Sequence, residues 1–459
     1  MSPDSGGNDD KRIYTLREEK PAKAVVRLGV PLIMGMLIMV LYNLTDTYFI
    51  GLTGNDYQMA AVNLAYPVMM VMMAVSNMTG TGAASLIARS LGAGKEKTAE
   101  KTLMQGFLMT VINSLLITFL GLLFMKGLVS ILGAKDNTFL FTEGYLKILL
   151  IGSIAVMGNF TFGQFLRAEG SVKLSVVSMI AGTVANMILD PVFIFTLGLE
   201  VKGAALTTVI GNGLGMGISL YFFASGKSLV KPVLRYLSPD FRVLREIFYV
   251  GVPATLETLM TSVAFVVNNN LAVSYGELTV AAVGIAQKIL SLGNYIYQGF
   301  ASGTQPIMGY NYGAKNYDRM LDVLKAGISV VSTTELVLMG IYGLFAPELI
   351  SLFTSSNEVI KTGSMVLRAL MFTLPFVGAV SMSRMSFQAM GKPLHAFVIT
   401  LVRQLVLYIP LLLIFNRLFG FRGMIWAQPF TEMIMMAVSV YLLVSMIIGL
   451  RKTQNREGA

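Results

Sequence analysis

The chain has 459 residues, of which 54% are hydrophobic and 13% charged, and its mean hydropathy is +0.68. Soluble proteins carry charge on about a quarter of their residues, so this composition excludes a soluble globular fold, and the lack of alternating ten-residue segments excludes a β-barrel. With no cysteine and a single histidine, His395, disulfides, thiolate or histidine-cluster metal sites and cysteine nucleophiles are excluded too.

Residues 1–23 read as a polar tail without the apolar core of a cleaved signal peptide. Apolar blocks long enough to cross a bilayer then follow at 24–51, 58–86, 104–125, 139–166, 174–198 and 203–225. Residues 226–243, with Pro232, Pro239, Lys227, Lys231, Arg235 and Arg242, form a linker. Six more blocks run at 246–273, 279–307, 326–347, 359–386, 394–416 and 423–449, before a basic tail over 450–459. Most blocks are apolar all round, as lipid-facing helices require. The predicted fold class is an all-α integral membrane protein of twelve transmembrane helices in two six-helix bundles, an N-lobe over 24–225 and a C-lobe over 244–449.

The basic residues cluster in the loops after even-numbered spans: Arg89, Lys95, Lys97 and Lys101; Lys227 to Arg245; Lys315, Arg319 and Lys325; and Arg451 to Arg456. By the positive-inside rule both termini are cytoplasmic. The formal charge of +10 is thus a topology signal in an inner-membrane protein, with no nucleic-acid partner implied.

A displacement of about 221 residues brings one half onto the other. Gly29-Val30-Pro31 recurs as Gly251-Val252-Pro253, Ala60-Ala61-Val62 as Ala281-Ala282-Val283, and Gly92-Ala93 as Gly313-Ala314. Arg167-Ala168-Glu169-Gly170 answers Gln388-Ala389-Met390-Gly391. Six spans per half keep the two copies in the same orientation, so they are parallel repeats about an axis along the membrane normal.

Nothing in the sequence binds a nucleotide. Ser225-Gly226-Lys227-Ser228 ends like a P-loop, but Tyr221 stands where the first glycine is required. Ionisable groups inside spans are costly and mark function by default. Asp46 lies about 29 Å along helix 1 from Arg27, and Asp190 about 26 Å along helix 5 from Lys173, at 1.5 Å per residue. The two acids are therefore expected at similar depth. Tyr42 and Asn43 share the face of Asp46, Asn186 that of Asp190, and Ala204 and Thr208 lie at matching depth in helix 6. Pro191 removes the amide that would bond the Met187 carbonyl, which predicts a bend directly after Asp190.

The run Tyr42-Asn43-Leu44-Thr45-Asp46-Thr47-Tyr48-Phe49-Ile50-Gly51, the Gly-Ala loops after helices 2 and 8, and Asn186-Met187-Ile188-Leu189-Asp190-Pro191 resemble the multidrug and toxic compound extrusion (MATE) family. The resemblance covers essentially the whole chain and is closest to the bacterial DinF/MepA-like branch. It implies a MOP-type 6+6 fold, alternating access, and export of small organic cations by H⁺ or Na⁺ antiport, with no other cofactor and a monomeric state. Carried over by position, the family's cation site, for H⁺ or Na⁺, falls on Asp46, Asn186, Asp190, the Ala204 carbonyl and Thr208. The repeat mate of Asp46 is Asn268, which departs from branches with acids in the second lobe.

Further candidates for substrate or network contacts are Tyr42, Asn43, Gln164, Glu257, Asn268, Lys288, Tyr295, Tyr297 and Phe300. Glu257 reads either as the partner of Lys288 or as a substrate contact, and Glu335, Arg403 and Glu432 read as pairs between helices. The alternatives to a cation exporter are a lipid-linked precursor flippase, which calls for a strongly basic cavity, and a membrane-embedded enzyme, for which no nucleophile, metal or base constellation is present.

Overall fold

The computed structural model describes residues 5–457, the side chains of residues 5–10, 43, 44, 47, 56, 136, 277, 453, 455 and 457 excepted. Asn43 is therefore outside the described side chains. Helices run in the order α1 (Ser5–Arg17), α2 (Pro21–Gly51), α3 (Asp56–Gly92), α4 (Glu96–Leu123), α5 (Met125–Ile131), α6 (Asp136–Ile151), α7 (Ser153–Ala168), α8 (Val172–Pro191) and α9 (Glu200–Ala224). The second repeat holds α10 (Phe241–Val273), α11 (Glu277–Gly313), α12 (Tyr317–Leu344), α13 (Ala346–Ser351), α14 (Asn357–Leu370), α15 (Leu374–Ala389), α16 (Pro393–Leu401) and α17 (Ile409–Glu457).

These make twelve spans. Helices α2, α3, α4, α8, α9, α10, α12 and the α14–α15 pair are long and apolar enough to cross a bilayer, and α6 with α7 forms one span bent by 53°. The helical stretch Pro393–Lys452 is 60 residues long, about twice the reach of a membrane, and Gly420 (φ 59°, ψ −144°) divides it. The remaining predicted span falls on α11, which has the length at 37 residues but is less apolar than the others. Helices α3, α4, α10, α11, α12 and α17 overrun their apolar blocks by a turn or more, their ends continuing into polar residues.

The α-helix gives way after Asp190-Pro191 to a π-helical turn, Val192–Thr196, in which the Leu197 amide bonds the Val192 carbonyl. Such turns re-pair backbone groups that a proline leaves idle.

Two compact units emerge, and neither is a contiguous half of the chain. Unit 1 comprises residues 1–14 and 34–251; unit 2 comprises 15–33 and 252–459. The leading segment of α2 thus belongs to the unit built from the second repeat, and that of α10 to the unit built from the first. Glycines explain both placements. In unit 2, a Cβ on Gly29 would lie 2.4 Å from Phe300 Cδ1, and one on Gly303 would lie 2.7 Å from the Gly29 amide nitrogen. In unit 1, a Cβ on Gly82 would lie 2.2 Å from the Ile247 carbonyl oxygen, and one on Gly251 would lie 2.0 Å from that of Met78. Small residues let helix backbones touch inside a membrane, and the repeat places these contacts at matching positions in both units.

Within unit 1 the tightest packing is between α8 and α9, α3 and α7, and α7 and α9; in unit 2 it is α11 with α14 and α15, and α12 and α17 with α15. Outside the spans, Glu169 is buried at the end of α7. It accepts from Arg12, Ser171 and Ser228 and from the Leu229 amide. Burial holds its carboxyl above the usual glutamate range even so, because desolvation outweighs these donors.

Candidate functional site

Helices α8 and α9 cross at two glycines. A Cβ on Gly182 would meet the Gly211 carbonyl oxygen at 2.5 Å, and one on Gly211 would meet that of Gly182 at the same distance. This close approach puts Asn186 and Asp190, one and two turns beyond Gly182, against Thr207 and Thr208. Asn186 Nδ2 donates to Thr208 Oγ1 at 3.2 Å, and Thr208 Oγ1 lies 2.8 Å from the Ala204 carbonyl as its donor. Thr207 donates to Oδ1 of Asp190. From α2, the Tyr42 hydroxyl lies 3.4 Å from Thr208 Oγ1. Asp46, one turn further along α2, is within electrostatic reach of Asp190.

Asp190, Thr207 and Ala204 are completely buried, and Asn186 and Thr208 nearly so. Among the described residues three oxygens of this site stand buried without a hydrogen-bond partner: Oδ1 of Asp46, Oδ1 of Asn186 and Oδ2 of Asp190. Buried acceptors without a donor are rare, and each costs free energy to leave unmet. Two of these three belong to carboxyl groups. Together with the Ala204 carbonyl they form a donor set of hard oxygens, which suits Na⁺ or a proton and offers nothing to soft metals.

Unit 1 therefore brings together Tyr42, Asp46, Asn186, Asp190, Ala204 and Thr208. Two neighbours escaped the sequence reading. Thr207 sits beside Thr208 and three residues after Ala204, a position that spacing alone gives no reason to prefer. Tyr145 on α6 is buried within electrostatic reach of Asp46, Tyr42 and Asp190; it lies in another span, and no local pattern ties it to them.

The MatE family model matches the chain twice, over residues 31–192 and 253–414. The two matches are displaced by 222 residues, the spacing of the internal repeat. The chain belongs to the MATE family.

Among MATE relatives, the multidrug export protein MepA of Staphylococcus aureus strain NCTC 8325 is 30% identical over 96% of both chains. MepA of Staphylococcus haemolyticus is 29% identical over 95% of this chain and 96% of its own length. Of solved structures, an outward-facing multidrug resistance MATE transporter of the MOP superfamily superposes with a TM-score of 0.90 at 30% identity, covering 96% of this chain and 99% of the other. A MOP superfamily transporter from Pyrococcus furiosus, described as having a binding pocket of reverse polarity that suggests a different function, gives 0.89 at 29% identity with the same coverage. MATE structures similar to this chain have been solved in bent and in straight conformations.

The remaining candidates divide by unit. Gln164, in unit 1, joins Thr81 at 3.2 Å and Asn77 at 3.4 Å in a buried polar network. In unit 2, Glu257 does not pair with Lys288. It accepts from Arg384 at 2.8 Å and from Gln388 at 3.0 Å, and Lys288 is exposed. Lys288 lies on a different face of α11 from the one that packs on its neighbours, which the spacing of charges along the chain does not reveal. Arg403 and Glu432 pair through the guanidinium at 2.8 Å, as the sequence leads one to expect. Asn268 accepts from Tyr408 at 3.2 Å. Phe300 is buried against Gly29, while Tyr295 and Tyr297 are half-buried on α11.

Proposed function

We propose that this MATE chain exports organic cations from the cytoplasm by alternating access, in exchange for inward-moving H⁺ or Na⁺. The reading rests on one observation above the others: the three unpartnered oxygens of Asp46, Asn186 and Asp190, gathered in one unit of a MATE fold. A small cation supplies what these acceptors lack, and Asp46, Asn186, Asp190, the Ala204 carbonyl and Thr208 are the groups that would hold it. The naming of the MepA relatives as multidrug export proteins supports the substrate class.

Coupling needs no contact between drug and ion. Each must favour a different state of the carrier, since only differential affinity shifts an equilibrium. Filling the site removes repulsion between Asp46 and Asp190 and changes how α2 packs beside α8 and α9. The π-helical turn after Pro191 gives α8 a place to bend. A one-for-one exchange with a monovalent cation draws only on the concentration gradient of the ion; where one net charge moves inward per cycle, about 100 mV adds ~2.3 kcal/mol, enough for roughly a fifty-fold gradient at about 1.4 kcal/mol per decade.

The test is dye efflux from proteoliposomes under separately imposed pH and Na⁺ gradients. Wild type should export a cationic dye under at least one gradient, and Asp46→Asn should abolish it. Flip of a lipid-linked precursor with no dye movement under either gradient would replace antiport with the flippase reading, although unit 1 turns two carboxyl groups toward such an anionic head at this site.

A further inference from the structure

Among the described residues, unit 2 buries three acids in its spans, and they are not equivalent. Glu257 is neutralised by Arg384 and accepts a hydrogen bond from Gln388, and Glu432 is neutralised by Arg403. Glu335 on α12 is fully buried, and among the described residues neither of its oxygens has a hydrogen-bond partner. Its carboxyl lies against the α11 backbone where Gly293 leaves room: a Cβ there would come within 3.2 Å of Glu335 Oε2. The Tyr297 amide faces it from the same helix without meeting hydrogen-bond geometry.

The charged and titratable groups around it are few. Tyr342, on its own helix, feels its charge but spends its hydroxyl on the Ile289 carbonyl at 3.0 Å. Tyr297 on α11 is within electrostatic reach of Glu335 and also of Arg403, Glu432 and Arg384. Both arginines are committed to other acids. An ionised carboxylate in this place would have neither donor nor counter-charge, a state that buried groups avoid by taking a proton.

We infer that Glu335 holds a proton in this conformation and carries it through the transport cycle, as a second ion site besides Asp46 and Asp190. The bound form keeps its hydrogen on one carboxyl oxygen. On release that proton passes to water and the negative charge spreads over Oε1 and Oε2, which requires unit 2 to rearrange so that water or one of the arginines reaches the group. The carrier role rests on the antiport reading given above; the protonation does not. Two ions entering per monovalent cation expelled make the exchange electrogenic, whereas one leaves it electroneutral.

Infrared spectroscopy tests the protonation without any transport. Purified wild-type protein labelled with ¹³C-glutamate should show, near neutral pH, an isotope-shifted carbonyl band of a neutral carboxylic acid. The band should lose intensity in Glu335→Gln and keep it in Glu257→Gln. A labelled wild type with no such band, or a band of undiminished intensity in Glu335→Gln, overturns the proposal, and the first of these outcomes needs no variant to fold. Proteoliposomes then test the carrying role. Wild-type efflux of a monovalent dye should respond to an imposed membrane potential, and in Glu335→Gln the response should disappear while exchange driven by the ion gradient remains. Equal voltage dependence in both proteins overturns the carrying role. Failure of the antiport reading would appear separately, as no gradient-driven dye movement in wild type whatever the spectrum shows.

Discussion

Thr207 donates its hydroxyl to Oδ1 of Asp190, so only Oδ2 of that acid faces its surroundings without a partner. The bond engages one carboxyl oxygen and leaves the other open. Thr207 thus positions the acid without supplying a charge.

Asp190→Asn keeps an oxygen for Thr207 to donate to, so the helix packing should survive. The amide can neither take up a proton nor balance a sodium ion. Dye export should fall by about a hundredfold or more, in line with ~3 kcal/mol or more for a lost charge-assisted contact, while the melting temperature in detergent stays within a few degrees of wild type. Transport and thermal-shift measurements on one preparation check both halves.

The α8–α9 crossing predicts a contrast between glycines. Gly182→Ala drives a methyl group into the Gly211 carbonyl, and backbone atoms have little room to yield. It should cost about 1–3 kcal/mol and lower export with it, since Asn186 and Thr208 move apart. Gly217→Ala, on α9 with open space around its Cβ, should be neutral or stabilising by up to ~1 kcal/mol. Thermal unfolding of the two variants should diverge in opposite directions.

Arg384→Ala leaves Glu257 buried with Gln388 alone among the two donors that hold it. Breaking a buried pair from one side costs ~3–5 kcal/mol, and somewhat less here because Arg384 is about a quarter exposed (23%). The double variant Arg384→Ala/Glu257→Gln should recover much of that stability, which a double-mutant cycle on melting temperatures would measure.

Asp240 gives a pH prediction outside the spans. Its carboxylate takes a hydrogen bond from Lys101 and caps the start of α10 through the Arg242 and Val243 amides. The Lys101 bond, followed by those amides, holds it below the usual aspartate range. A depressed acid stabilises the fold above its unfolded value of ~3.9 and loses that contribution as pH falls through the folded value. Acid unfolding of wild type should therefore lose a component in that window that Asp240→Ala lacks, and at neutral pH the variant should be less stable by about 1 kcal/mol, the worth of a lost cap.

Much of this molecule could be read from the sequence because lipid leaves few options. Apolar runs announced the spans, and Asp46 and Asp190 stood out because a charge there needs a reason. What could not be read is which surfaces meet. Hydropathy says nothing of Gly29 packing on Phe300 or Gly251 on Met78, so chain order alone put the whole of α2 in one lobe. The same limit hid Arg384 as the partner of Glu257, which lies more than a hundred positions away along the chain (|i−j| = 127), and left Thr207 in the shadow of Thr208.

Each repeat lends its opening turns to the other's bundle, at Gly29-Val30-Pro31 and Gly251-Val252-Pro253. A gene cut in the linker would therefore yield two fragments, each missing part of a wall and each carrying a loose helical arm that fits only its sibling. Such fragments should be unstable alone and regain function when made together. The duplication that doubled this protein also bound its copies into an obligate partnership.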